Sequence, residues 1–487
     1  MKTISFTVIL CILILSLSSC GLIKINSDTV TTPESTHAGT TAGFDETDPS
    51  TELEPQIPPT FPDPQEWVIR ESEADAMLEN VIHLDFTGST LFIADATKAF
   101  SHQLVENNVY SEALYERYEK IKSKYGFNIT VISVDNSTLF EEYKSTLASG
   151  NTYSDLLSVP IRDTGRYITS GLIKNMRTLA FFDTKPAHAA PYFSSVNSAG
   201  NDIYFSVGYS SVTPADIAVT YFNKTLLADA GIDLYNEILC GEFTIERYNE
   251  IIRTCELNSM ISPSLDADLI ALEMSGCSFF ATGYGTTISI NETVARSTLT
   301  QASSYLSSLL YGGLSDINTD NDLSVFERGD AAFRFGILSD IEEIYDDKVM
   351  WGIAPMPKYL EADSYVTPIN NSAACLMVPS NTTKAEMTSI AISALNAASY
   401  KWLLDCATFH YAAYFLPDLS AIEVIKSLTD NIRFNFAAGA VSLSSSFKSI
   451  LFDSMRLYAI DPSTDLSQIL TSKNLKAITT ELKKYYS

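Results

Sequence analysis

Leu323–Pro357, LSVFERGDAAFRFGILSDIEEIYDDKVMWGIAPMP, is the stretch on which the fold turns. Phe326, a charged pair and Gly329 lead into the apolar run Ala331-Ala332-Phe333, which reaches Gly336, a position where a side chain has been given up. An acidic, helix-like segment follows (Asp340, Glu342, Glu343, Asp346, Asp347), and a short apolar strand then ends in Ala354-Pro355-Met356-Pro357. The pattern predicts strand, tight turn, helix, strand, an α/β unit with glycines where backbone must come close to something. Alone it predicts no more than that.

Working outward, 487 residues are too many for one ordinary core and predict two domains or lobes. With 46% hydrophobic residues and 11% aromatics, most of the chain has the means to bury a core. A net charge of −27 argues against nucleic acid as a partner, because a phosphate-binding surface needs clustered Lys and Arg. The acidity reads instead as a solvated surface.

The first twenty residues read as a targeting segment. Lys2 supplies a minimal positive start, and Ile4–Leu17 is apolar but too short to span a bilayer comfortably. It ends in Leu17-Ser18-Ser19-Cys20-Gly21, which resembles the bacterial lipobox. That resemblance implies lipidation of Cys20 and attachment to the outer face of the cell membrane, stable because two acyl signals act together. Residues 21–80, rich in Thr, Ser, Pro, Asp and Glu and without apolar periodicity, are expected to form a disordered acidic tether. Beyond Cys11 and Cys20, five cysteines remain (Cys240, Cys255, Cys277, Cys375, Cys406), with no CxxC pair and no zinc spacing. Cys240 and Cys255 are compatible with a disulfide, and buried free thiols are the competing state.

Val81–Phe86 alternates as VIHLDF and, with Thr90–Ile93, predicts a hairpin or edge strand. Leu114, Tyr118 and Ile121 share a helix face, the helix closes at Tyr125-Gly126, and FNITVISV (Phe127–Val134) reads as a strand. A helix through Leu139, Tyr143 and Leu147 stops at Gly150, and SDLLSV (Ser154–Val159) is a short buried strand. This alternation predicts an open, mainly parallel sheet. Further on, IYFSVGYS (from Ile203) reads as a strand, Ile217–Phe222 as another running into Asn223-Lys224 and a helix, and Thr244 as the N-cap of the next helix.

KNMRTL (Lys174–Leu179), DIYFSVGYS, Tyr221-Phe222-Asn223-Lys224, LLADAGID and the opening stretch occur in an order that resembles the family 1, carbohydrate-type extracellular solute-binding proteins of ABC importers. The resemblance covers most of residues 84–487. It implies a two-lobed α/β fold of the periplasmic-binding type II kind with hinge crossovers. One lobe is expected at 81–211 and 367–415, the other at 212–366 and 416–487, with hinges near 209–217 and 363–370. Ile337 stands where the family usually places a Trp after the glycine, so no stacking platform is expected there.

Catalytic signals are scarce. There is no G-x-S-x-G and no H-E-x-x-H, and the five histidines (His37, His83, His102, His188, His410) are scattered singly. No enzyme activity, metal or cofactor is expected. A cleft binder needs aromatic faces and a few convergent polar groups. The candidates are Asp163 and Arg166, with Arg162, after the strand Ser154–Val159; Tyr209; Tyr284 in a polar-aromatic loop; Arg334; Trp351; and Asn371 before an apolar strand. Each has a plainer alternative: core packing for Trp351, turn formation for Asn371 and surface pairing for Arg162 with Asp163. The partners expected are a small solute, a sugar or oligosaccharide in the family's manner, and a membrane permease, with the chain itself monomeric. Peptides and sugar phosphates stay open as ligands. So does a second role, a surface glycan-adhesion lipoprotein not coupled to transport.

Overall fold

Ile93 and Ala94 are neighbours in one strand, point to opposite faces of a sheet, and are both 1% exposed or less. Burial on both faces is the mark of a sheet sandwiched between helices. In the computed structural model this strand is β1 (Thr90–Asp95), followed in chain order by β2 (Asn128–Ser133), β3 (Leu156–Pro160), β4 (Ala218–Asn223), β5 (Asn258–Ile261), β6 (Ala331–Ile337), β7 (Trp351–Ala354) and β8 (Ala374–Met377). They form two four-stranded sheets, ordered β8-β3-β1-β2 and β5-β6-β4-β7. In the first, β1 runs parallel to β2 and β3 while β8 is antiparallel to β3. In the second, β4 is antiparallel to both β6 and β7, and β5 is parallel to β6.

The structure describes residues 64–101, 109–184, 199–200, 202–256, 258–275, 279–280, 283–284, 289–311, 322–344, 350–360, 363–407, 419–433 and 436–485, and residues 65–487 form one compact unit. The targeting segment with Cys20, and the expected tether up to residue 63, lie outside the described residues.

Three expectations need correction. The tether does not extend to residue 80, because Pro64–Glu79 is a helix that buries Ala74 and Leu78 against the first sheet's helices. Its charges meet partners rather than repelling one another: Lys120 Nζ bridges Glu71 (2.8 Å) and Asp75 (2.6 Å), and Arg70 reaches Asp405 at 3.2 Å. Val81–Phe86 forms no strand, and Thr90–Asp95 is an interior strand rather than half of a hairpin; the alternation in VIHLDF instead places Val81 in the core and exposes Ile82. IYFSVGYS contributes only single bridges, notably Ser206 with Leu376, because its end is held by side chains of the helix Ala385–Ala398. There Asn396 Oδ1 accepts from Ser210 Oγ at 2.8 Å and lies 2.2 Å from where a Cβ on Gly208 would be.

The opening stretch forms as expected: a short helix Asp322–Glu327, β6, a turn into the helix Ile341–Ile344, and β7. On one face of β6, Phe333 and Phe335 pack edge-on against Tyr248, both at 5.3 Å between ring centroids. On the other face Arg334 runs over Gly336 to donate from Nη1 to Asp340 Oδ2 at 2.8 Å, and Ile337 N donates to the same oxygen at 3.3 Å. A Cβ on Gly336 would lie 2.4 Å from that oxygen, which is why the side chain is absent. In YFNK, Tyr221 Oη donates to the carbonyls of Ile337 and Leu338, and Asn223 caps the helix Lys224–Asp229. Thr244 caps the helix Ile245–Cys255, as its sequence position predicted.

The chain passes from the first sheet to the second between β3 and β4 and returns between β7 and β8. The two passages touch: Ile217 bridges Ile369, and Asn370 N donates to Asp216 O at 2.8 Å. A third segment joins them, since Thr367–Pro368 pairs with Ile432–Arg433. After it, the helix Phe436–Leu443, in the stretch 416–487 expected in the other lobe, packs on the helix Thr164–Thr169 just beyond β3. Gly165 N donates to Ser442 Oγ at 2.9 Å, and a Cβ on Gly165 would sit 2.1 Å from Ser442 O. Among the described residues no helix is long and apolar enough to cross a membrane. Cys240, Cys255, Cys375 and Cys406 are free thiols.

The buried pair sets the first test. Arg334→Ala leaves the Asp340 carboxylate buried without its cation and is expected to cost about 3–5 kcal/mol in urea denaturation. Arg334→Ala with Asp340→Ala removes both charges and should cost less than the sum of the two single changes. Strict additivity would show that the pair is not coupled.

Candidate functional site

The ends of β3 and β5 and the returning passage converge on one cavity of about 570 Å³. Arg162 reaches it from the first sheet, two residues beyond β3. The segment Pro263–Asp268 reaches it from the second sheet, just beyond β5. Asn370 and Asn371 enter from the crossing, and Leu306, Leu310, Arg456 and Ile460 close it from two helices, Glu292–Tyr311 and Ser454–Ile460. Ligand sites in open α/β sheets lie beyond the carboxyl ends of strands, and this cavity does too.

Its polar wall is tightly bonded. Asp266 stands at the N-cap position of the helix Ala267–Met274. Its backbone N donates to Asn370 Oδ1 at 3.0 Å, and Asn371 Nδ2 donates to its carboxylate. Asn370 Nδ2 donates to Ser264 O at 2.7 Å, and Ser264 Oγ donates to Asp340 Oδ1 at 3.2 Å. Asp268, 5% exposed, receives Arg456 Nη2 at 2.5 Å and Nε at 3.1 Å. Burial, and then the neighbouring Asp268 charge, push the Asp266 carboxyl above the usual carboxylate range, while the Leu269 backbone N–H and then Arg456 and Arg162 pull it back. The opposite wall is aliphatic, with Leu306, Leu310 and Ile460.

Of the residues singled out from sequence, Asn371 lines this cavity. Arg162 does so as well, and it does not pair with Asp163. Asp163 instead accepts from Asn136 Nδ2 at 2.8 Å and lies 3.7 Å from Arg166, whose guanidinium sits over Phe140 and Tyr167. Those two charges therefore fasten the helix Thr164–Thr169 to the helix Asn136–Ala148. Tyr209 is buried edge-on against Tyr400, and Trp351 edge-on against Tyr221. Arg334 is buried and donates to Asp340, whose other oxygen accepts from the cavity-lining Ser264. Tyr284 pairs through its backbone with Gly200, and its side chain lies outside the described residues.

Sequence reading passed over Pro263–Asp268 and Arg456. The first had a signal: Ser262-Pro263-Ser264-Leu265-Asp266 is turn chemistry ahead of a helix. Arg456 had none, lying 188 residues from the carboxylate it holds.

No family model matches the chain, and no curated protein matches its sequence. Solved structures do match its fold. The cyclic α-maltosyl-1,6-maltose binding protein of Arthrobacter globiformis superposes with a TM-score of 0.52 at 13% identity, covering 81% of this chain and 99% of that one. The sugar-binding protein MalE of Xanthomonas citri gives 0.52 at 10% identity, covering 81% and 98%. A family 1 extracellular solute-binding protein of Bifidobacterium longum subsp. infantis gives 0.51 at 12%, covering 82% and 100%. The fold is that of the type II periplasmic binding proteins.

Removing the Arg456 guanidinium leaves Asp268 buried with its bidentate partner gone. Arg456→Ala is expected to lower stability by about 1–2 kcal/mol at neutral pH by urea denaturation, discounted because Arg456 itself is largely exposed. No loss would mean that water replaces the arginine.

Proposed function

We propose that this chain is an extracellular solute-binding protein, lipid-anchored through Cys20, that captures a neutral sugar or oligosaccharide and delivers it to an ABC permease without chemically changing it. The observation that carries this reading is the charge balance of the cavity. Asp268 is matched by Arg456 in a bidentate pair, and the other charged residues lining the cavity, Asp266 and Arg162, are also of opposite sign, so a ligand need bring no charge of its own. Buried charges favour partners that satisfy them. Hydroxyl groups, each both donor and acceptor, do so for Asp266, Asn371, Ser264 and Arg162 at once.

A sugar phosphate would need convergent unpaired cations, and Arg456 is already held by both oxygens of Asp268, Nη2 on Oδ2 and Nε shared between Oδ1 and Oδ2. The aliphatic wall suits the C–H face of a sugar ring. The volume falls within the roughly 300–1,000 Å³ of small-molecule sites. The fold shared with sugar-binding proteins of transporters supports capture rather than reaction. For the lobes we retain the expected boundaries with two changes: the first begins at the helix Pro64–Glu79 and takes in Phe436–Leu443.

A thermal-shift screen of mono- and oligosaccharides, amino acids and peptides tests this directly. A sugar present at one hundred times its Kd should stabilise the protein by about 2.7 kcal/mol and raise Tm by several degrees. Asp266→Ala and Asn371→Ala should each weaken that sugar about 10- to 100-fold, or about 1.4–2.8 kcal/mol. A screen in which only a polymeric glycan binds would replace the import reading with surface adhesion. One in which only phosphorylated sugars bind would overturn the charge argument.

A further inference from the structure

We propose that Asp216 makes the hinge proton-sensitive, so that the link between the two passages connecting the lobes changes with extracellular pH. Asp216 sits on the first passage, 5% exposed, in the turn Pro214–Asp216. Its Oδ2 accepts from Thr213 N at 2.8 Å and from Thr213 Oγ1 at 2.7 Å. Its Oδ1 accepts from Ser372 Oγ, on the returning passage, at 3.4 Å, and Ser372 Oγ itself accepts from Asn370 Nδ2 at 3.2 Å. A chain of hydrogen bonds therefore runs from cavity-lining Asn370 through Ser372 to a carboxylate on the other crossing strand. Among the described residues no cation pairs with that carboxylate. On the elements packed against it, the charged groups are Asp340 and Arg334, which pair with each other; Asp216 also acts, through space, on Tyr110 of the helix Val109–Tyr125, whose hydroxyl is raised by burial, lowered by Arg117 of the same helix and raised to a lesser degree by Asp216.

Burial raises the carboxyl to about 6, against the pull of its Thr213 and Ser372 donors. A proton taken from solvent is placed on Oδ1, because Oδ2 already accepts from the backbone N–H of Thr213, a donor that cannot reverse. The protonated carboxyl then donates to Ser372 Oγ, and the Ser372 hydroxyl hydrogen turns away. The inter-passage bond thus reverses polarity and loses its charge assistance, which weakens it. Above the titration the side-chain contact between the passages is charge-assisted and below it is a weaker neutral one, while the backbone bond from Asn370 N to Asp216 O and the Ile217–Ile369 bridge stay as they are.

The test uses the whole protein without ligand. Carboxyl-¹³C NMR of aspartate-labelled protein should show one resonance titrating near pH 6 that is missing from Asp216→Asn. Small-angle scattering between pH 7 and pH 5 should show a change in radius of gyration with the same midpoint, absent from that variant. Should Asp216→Asn fail to fold, Ser372→Ala keeps the carboxyl but removes the bond between passages: the resonance should still titrate, and the scattering should become flat. A flat wild-type scattering curve overturns the proposal, as does a pH-dependent one that Asp216→Asn or Ser372→Ala leaves intact.

Discussion

Arg334 lying over Gly336 to reach Asp340 is the contact from which the second lobe is organised. The strand β6 is buried on both faces, so a guanidinium in it must be met by a carboxylate or not be there. Meeting it requires a turn that brings Asp340 back along the strand, and that turn leaves no room for a Cβ at residue 336. Asp340 has a second oxygen, and Ser264 donates to it, which places the loop after β5 at the mouth of the cavity. One buried pair thus sets the end of a central strand, the path of the chain beyond it, and one wall of the site.

The cavity is polar by a similar logic. Its asparagines enter from the crossing segment and its carboxylates from the start of a helix, so the crossing and the cavity share Asn370. Any motion of the returning passage relative to the first must carry Asn370 and Asn371 with it. Three chain segments lie side by side where the chain passes between the two sheets, and the helix Phe436–Leu443 adds a close backbone contact at Gly165.

Tyr209, Trp351 and Arg334 drew attention as aromatic or charged residues at strand ends, and all three are buried instead. A strand end in a sheet covered on both faces is still interior, and neither hydropathy nor position along the chain reveals which ends open onto a cleft. Asp163 and Arg166 were diverted by each other and by Asn136, a partner thirty residues away from Arg166. Asn371 was legible because turn chemistry next to an apolar strand marks a crossing whichever role it plays.

What the sequence by itself determined was local and periodic. The alternation of strands and helices, the caps at Asn223 and Thr244, and the missing side chain at Gly336 all follow from neighbours within a few residues, where backbone geometry and burial period act. The order of its motifs also pointed to the correct fold. Only the tertiary structure decided which charges meet. Arg456 reaches Asp268 and Ser372 reaches Asp216 across more than 150 residues of chain, by the crossing of three segments that no local pattern encodes. In a chain with a net charge of −27, the few arginines are the scarce partners, and where each finds its carboxylate is settled by packing alone.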